Sequence, residues 1–420
     1  MQILVVNSGS SSIKFSIFAV DSNSPNADPQ SLLEGQLNGI GSPTGKLEVQ
    51  LASDPDHALT SNVDVADYGN AISVVLDAIS SSNVPAFTAV GYRVVHPGPN
   101  LRAHQRITPQ VLADLDAATE FAPLHDPAAV RLIRVFMDKF PDLPHYACFD
   151  TIFHQTMPPE AFTYPLPPKY AEQVVRRYGF HGISCESIIR QLRALGPIPH
   201  RMAIAHLGSG CSITAVRDGL SIENTMGLTP TGGVIMGTRS GDLDPGLVLY
   251  LLRDLPHERD QQNRESITAV ETLLSHDSGL TALSGMPNNV KAVRKAANEG
   301  NERAGLALKI FAHSITKALG SCCWLLGGLD AIIFAGGIGE HDPQTRSQIL
   351  EGLHQVGVEL DDTLNQSRAS GIQRISAPSS STAIFVVPAQ EDLMIAVHVE
   401  EMSHQQSTQQ ETAQLQPAHN

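Results

Sequence analysis

Three short glycine-bearing stretches supply the first chemistry that can be read from this sequence. Residues 7–12 read Asn-Ser-Gly-Ser-Ser-Ser, residues 206–210 read His-Leu-Gly-Ser-Gly, and residues 336–340 read Gly-Gly-Ile-Gly-Glu. Each follows an apolar run. Glycine leaves backbone N–H groups open to an anion, and the hydroxyls of Ser10 and Ser12 add donors. Lys14 offers a compact positive charge to a phosphate. A single such loop is most simply a tight hairpin; three of them shift the reading toward phosphate and nucleotide binding. None fits GxxxxGK[ST], and 336–340 is not GxGxxG, so neither a P-loop NTPase nor a dinucleotide-binding dehydrogenase is supported.

Two arginines suit a substrate carrying several negative oxygens. Arg93 sits near the end of an apolar run, where a charge is costly unless paired. Arg239 lies in the polar glycine stretch 236–242. Most of the 17 histidines read as surface or packing residues; His125, His181 and His206 stand in more informative contexts. No pair has HxxxH or HExxH spacing, which argues against a helical transition-metal site. Asp150 could orient a nucleophile, bind hydrated Mg²⁺ or cap a helix. Glu391 and Asp392 read as an acidic pair opening a helix near Leu393. No GxSxG elbow supports a serine hydrolase.

These residues need elements to hold them. Ile3-Leu4-Val5-Val6 is a buried-strand run, and Ile13, Phe15 and Ile17 alternate with polar residues, so 3–18 predicts a hairpin. The pattern returns at 202–216 with another Gly-Ser turn and another Ser-Ile opening. A repeat at half the chain length predicts two similar domains and is too long for a solenoid. Further strands are expected at 87–95, 331–334 and 383–387. Helices are expected at 126–139, 245–253 and 301–319, the last with Leu306, Ile310, Phe311, Ile315 and Leu319 on its apolar face. Strands alternating with helices indicate an α/β protein. Short hairpins and loops are expected for 21–62, and a disordered tail for 403–420.

The chain has 420 residues, 42% of them apolar, with 28 Lys+Arg against 43 Asp+Glu and a formal charge of −15. That balance excludes a broad basic surface for nucleic acid or anionic membrane, while leaving room for a locally positive cleft. Five cysteines without CxxC spacing read as reduced thiols, those at 322 and 323 within an apolar helix. The first residues lack a basic n-region, and no apolar run approaches 18 residues, so a cytoplasmic protein is expected.

Taken in order, the motifs resemble the acetate kinase family, within the actin/hexokinase/Hsp70-like ATPases. They are NSGSSSIKF at 7–15, RVVHPG at 93–98, PLHDP at 123–127, FDTIFHQTMP at 149–158 and YGFHGIS at 178–184. HLGSGCSI at 206–213, GLTPTGGVIMGTRSGDLDPG at 227–246, GGIGE at 336–340 and EDLMIA at 391–396 complete the series. The resemblance implies duplicated ribonuclease-H-like (actin-like) domains with an interdomain cleft. The first would span 1–151 plus about 393–402, the second 152–392. It also implies a homodimer that phosphorylates acetate with ATP and Mg²⁺ or Mn²⁺, giving acetyl phosphate and ADP.

Residue by residue, the resemblance makes Asn7 and Glu391 metal-associated and Asp150, His181 and Arg239 catalytic. Arg93 would hold the acyl carboxylate or phosphate. Val95, Leu124, Phe180 and Pro230 would line a small apolar pocket, with His125 also on the substrate side. Ser10, Ser12, Lys14, the stretch His206, Leu207, Gly208, Ser209 and Gly210, the trio Asn289, Val290 and Lys291, and the stretch Gly337, Ile338, Gly339, Glu340 and His341 would contact the nucleotide. Acetate is already ionised at neutral pH, so Asp150 makes more sense orienting Arg93 or the metal's water shell than as a base. The family usually has Asn at 209, Asp at 289, Arg at 291 and Asn at 341. These departures fall on the nucleotide side and keep another phosphoryl donor, such as pyrophosphate, open. Propionate is a second acceptor to weigh, since one methylene discriminates by only about 1–3 kcal/mol. A non-catalytic nucleotide sensor is disfavoured because it would need neither an acyl pocket nor Arg239 and His181.

Overall fold

The computed structural model describes residues 1–9, 11–21, 27–119, 121, 126–254, 262–367 and 371–415, with backbone alone for 262–266 and 406–415. Ser10, Leu124 and His125 therefore lie outside the described residues. The chain divides into two units, Met1–Ile152 with Gln390–Asn420, and Phe153–Ala389.

In the first unit, β1 (Gln2–Ser8), β2 (Ser12–Ala19), β3 (Gln30–Asn38), β4 (Ser42–Leu51), β5 (Asp54–Val65), β6 (Ala89–Val94), β7 (Gln105–Arg106) and β8 (His145–Phe149) form one sheet. Its order is β5-β4-β3-β2-β1-β6-β8-β7. Ile3, Leu4, Val5 and Val6 are all buried because β1 is central, antiparallel to β2 and parallel to β6. The expected hairpin is present, and its register sets Asn7 opposite Lys14. Parallel pairing sets Val6 against Tyr92 and Arg93 against Cys148, so Asn7, Arg93 and Asp150 all lie at the carboxyl ends of neighbouring strands. Ligands of open α/β sheets commonly bind at that edge.

Two expectations for this unit need correction. Residues 30–65 form the expected hairpins, but as three long paired strands of the sheet with little loop between them. Buried Leu33, Leu37, Leu47 and Val49 supply the alternation that their Ser- and Gly-rich setting obscures. The closing helix, Glu391–Leu415, begins two residues early, belongs to the first unit and extends past 403. It docks so closely on β6 that a Cβ at Gly91 would lie 2.7 Å from Val399 and 2.8 Å from Ile395. Once anchored, it meets no proline or glycine before Pro417, so nothing in the sequence stops it at 403.

In the second unit, β9 (Arg201–Leu207), β10 (Cys211–Arg217), β11 (Leu220–Asn224), β12 (Ala331–Ala335), β13 (Gln373–Arg374) and β14 (Ala383–Val386) run in the order β11-β10-β9-β12-β14-β13. The order β11-β10-β9-β12-β14 repeats β3-β2-β1-β6-β8: an antiparallel meander of three, then two parallel strands. That is the expected duplication. The helix Glu302–Leu326 starts at the cap Asn301, whose side chain accepts from Ala304 N at 3.0 Å, and ends at Gly327 with φ 73°. Its buried face runs through Leu308, Phe311, Ile315 and Leu319, whereas Leu306 is 58% exposed. Leu306 stands two residues, about 200°, from Leu308 and so cannot share that face. Among the described residues none of the five cysteines forms a disulfide, and no helix is long and apolar enough to cross a membrane.

Candidate active site

In the first unit, a charged fork is built around Arg93. Its Nε donates to Asp150 Oδ1 at 3.1 Å and its Nη2 to Asp150 Oδ2, while Nη1 donates to Asn7 Oδ1 at 3.3 Å. Glu391 Oε2 lies 3.8 Å from Nε. The pair is largely withdrawn from water, with side-chain exposures of 19% and 1%. Burial works against the charge on Arg93, but Asp150 and Glu391 outweigh it and hold the guanidinium above its ordinary pKa. Glu391 and Asp392 do different things. Asp392 accepts from Ser16 Oγ at 2.7 Å and ties the helix to β2, while Glu391 faces Arg93.

Asp126, the first residue of the helix Asp126–Lys139, is wholly buried beside this fork and was not among the expected site residues. Its Oδ1 accepts from His96 N at 3.3 Å, so it grips the backbone that follows Arg93. Burial, aided by the nearby Asp150 charge, pushes its carboxyl up to about 8. A carboxyl with a raised folded pKa keeps its proton in the folded chain while the unfolded chain loses it. Stability therefore falls as pH rises from about 4 to 8. Asp126→Asn keeps the acceptor without the proton. It should raise Tm, with a gain at pH 8.5 exceeding that at pH 5 by the equivalent of roughly 2–4 kcal/mol. Equal gains at both values would show that Asp126 does not titrate in this range.

In the second unit, three side chains gather at the β9–β10 turn. His181 has φ 60° and ψ 30° and precedes the helix Gly182–Leu195. Its Nδ1 is 3.0 Å from Ser212 Oγ, and its ring stacks on His206 at 4.2 Å and 26°. His206 Nδ1 is in turn 2.8 Å from Ser184 Oγ. Arg239 Nη1 donates to Pro230 O at 3.0 Å. Gly210 shows how these groups converge: a Cβ there would lie 3.3 Å from Arg239 Nη1 and 3.4 Å from His181 Nε2. Two nitrogens thus approach one point over the turn. Cys211 is no candidate nucleophile, since burial pushes its thiol up to about 12.

Other expected residues are occupied locally. Asn289 caps the helix Val290–Asn298, accepting from Ala292 N at 3.1 Å. Val290 packs against the cluster of Val293, Ala304 and Leu308. The stretch expected as a glycine loop is instead a helical turn, Gly336–His341. Gly336 has φ 74°, and a Cβ there would lie 2.8 Å from Leu207 O, so only glycine lets the turn start against β9. Glu340 Oε1 accepts from Gly336 N at 2.9 Å and from Ala389 N at 3.0 Å. Lys14, Ser209, Lys291 and His341 are exposed, and Gly337 faces open space. Val95 belongs to the first unit, Phe180 and Pro230 to the second.

A model of the acetokinase family matches residues 2–397. The chain belongs to the acetokinase family. It is 37% identical over 406 residues to an acetate kinase of Halothermothrix orenii, covering 94% of this chain and 98% of the relative. An acetate kinase of Clavibacter michiganensis is 38% identical over 403 residues, with coverages of 94% and 97%. Among solved structures, a propionate kinase from Francisella tularensis superposes with TM-score 0.84 at 34% identity, covering 94% of this chain and 98% of that one. Acetate kinase from Porphyromonas gingivalis gives 0.82 at 30% identity, with coverages of 96% and 99%. The two units are thus the duplicated actin-like halves of an acetokinase, a phosphotransferase whose acceptor is a carboxyl group.

Proposed function

We propose that this chain catalyses reversible transfer of the γ-phosphoryl group of ATP to acetate, giving acetyl phosphate and ADP. The observation that carries the reading is the approach of Arg239 Nη1 and His181 Nε2 to one point over Gly210. An acetate oxygen attacks phosphorus as the bond to the bridging oxygen of ADP breaks, and the electron pair leaves with ADP. The loose transition state spreads charge over three equatorial oxygens, which fixed donors must meet. Arg239 and His181 are those donors. For Nε2 of a neutral His181 to donate, Nδ1 must accept from the Ser212 hydroxyl. Arg93 holds the acyl carboxylate, and Asp150 keeps the guanidinium fork oriented. No base is needed, because acetate arrives ionised.

Asn7 and Glu391 would hold Mg²⁺, and the pair fits that ion. An amide oxygen and a carboxylate oxygen are hard donors, and Mg²⁺ takes few protein ligands, filling its shell with water and phosphate oxygens. When bound it would neutralise β- and γ-phosphate oxygens. The enzyme would act in the cytoplasm, where its small anionic substrates are held. A homodimer is supported by the helix Pro245–Asp254, none of whose residues is buried, with Leu247, Leu249 and Tyr250 at 41%, 57% and 55% exposure.

The likeness to a propionate kinase gives the second reading, propionate as acceptor. Trapping acyl phosphate as hydroxamate, with acetate, propionate or butyrate against ATP, GTP or pyrophosphate, tests all of this. Acetate with ATP should have the highest kcat/KM, with propionate roughly 10- to 200-fold lower. Product with pyrophosphate and none with ATP would overturn the nucleotide reading.

A further inference from the structure

His181 can donate to a phosphoryl group only if its backbone, in the left-handed region, is held there. Gly179 and His181 have φ 74° and 60°, so left-handed residues flank Phe180 on both sides. Such a conformation in a non-glycine residue persists when neighbouring groups over-determine it. His154 is 1% exposed and approaches Phe180 from one side. Its Nε2 is 2.9 Å from Phe180 O, and its Nδ1 is 2.9 Å from Ser221 Oγ. A carbonyl only accepts, so Nε2 carries the proton; burial lowers the ring's pKa to about 4 and keeps it neutral. Nδ1 must then accept from the Ser221 hydroxyl.

Asn224, also wholly buried, closes the other side. Its Nδ2 donates to Phe180 O at 3.2 Å and to Thr214 Oγ1 at 2.9 Å. Its Oδ1 accepts from Phe180 N at 3.4 Å and from Met226 N at 2.9 Å. Asn224 Nδ2 and His154 Nε2 are 3.4 Å apart, but both are donors, so the contact is a shared grip on one carbonyl. Gly179 fits between them: a Cβ there would lie 2.9 Å from both the Asn224 Cβ and the His154 ring. Arg177 locks the facing backbone by donating through Nη1 to the carbonyls of Asn224, Thr225 and Met226.

We infer that His154 and Asn224 form a clasp on the Phe180 peptide that positions His181 for phosphoryl transfer. Both are positioning residues, acting through His181. The inference rests on the donor role given to His181 above and deepens it.

The test is a double-mutant comparison with ATP and acetate each titrated to saturation, with Tm recorded for every variant. Asn at 154 reaches the Nδ1 position and keeps the Ser221 partner but stops short of Phe180 O; Gln reaches the Nε2 position and keeps that donor. His154→Asn should lower kcat about 30–100-fold with both KM values within threefold, a loss smaller than that of removing a transition-state donor outright. His154→Gln should recover most of the rate. In a His181→Ala background, His154→Asn should cost nothing further, because the residue it positions is gone. An equal loss in both backgrounds, an unchanged kcat, or equal losses for Asn and Gln would each overturn the clasp. If His181→Ala itself left kcat intact, the donor role of His181 would fall first, and the clasp with it.

Discussion

Arg239→Ala is expected to lower kcat by about 10²–10³-fold, with the KM for ATP staying within about threefold. The expectation comes from where the guanidinium is held. One end is tied to the Pro230 carbonyl at 3.0 Å, with the Met236 sulfur 3.8 Å away, so the fork is ordered before substrate arrives. The same Nη1 and His181 Nε2 both lie beside Gly210, 3.3 and 3.4 Å from where a Cβ there would sit. Donors preorganised in this way stabilise charge as it develops and add little to ground-state binding. Arg239→Lys should be nearly as damaging, because an ammonium cannot hold the Pro230 carbonyl and a phosphoryl oxygen in the same fixed plane. Measured kcat and KM for the three proteins decide the matter. A large rise in the KM for ATP with kcat unchanged would mean that Arg239 binds nucleotide and does not serve the transition state.

What could be read in advance, and what could not, follows from how local each feature is. The two hairpins were legible because alternation from Ile13 to Ile17 and the Gly-Ser turns are neighbours in sequence, and the register then placed Asn7 opposite Lys14. The duplicated strand order was foreshadowed by the return of the same pattern near residue 202. Asp150 orienting Arg93 is one of the two tasks expected of it, and the structure makes that contact by laying β6 and β8 parallel, although the two residues stand 57 positions apart. Asn289 and Glu340 carry local contacts that their motifs do not announce. One oxygen of each accepts from backbone N–H groups, at a helix start for Asn289 and beyond strand ends for Glu340. Short polar side chains meet such local donors first. His154, Asn224 and Asp126 escaped notice as site residues because each touches the backbone of a functional residue, and no residue type announces that.

The Arg93–Asp150 pair yields the other large effect, and its two single variants should differ in kind. Arg93→Ala removes the guanidinium from a carboxylate that is 1% exposed, whereas Asp150→Ala leaves a guanidinium that is 19% exposed and still has Glu391 3.8 Å away. Breaking a buried pair from one side costs mainly the desolvation of the partner left behind. Arg93→Ala should therefore lose on the order of 3 kcal/mol of stability and Asp150→Ala clearly less. Activity should rank otherwise. Both singles should lose at least about 10²-fold in kcat/KM for acetate, Arg93→Ala through the missing charge and Asp150→Ala because the fork, no longer held on two sides, swings toward Glu391. Combining them separates the roles. With neither member of the pair left behind, Arg93→Ala/Asp150→Ala should be more stable than Arg93→Ala alone, by thermal or urea unfolding, yet no more active. A double variant less stable than either single would mean that the pair contributes packing rather than mutual neutralisation. Recovery of activity in the double variant would mean that Arg93 does not hold the acceptor.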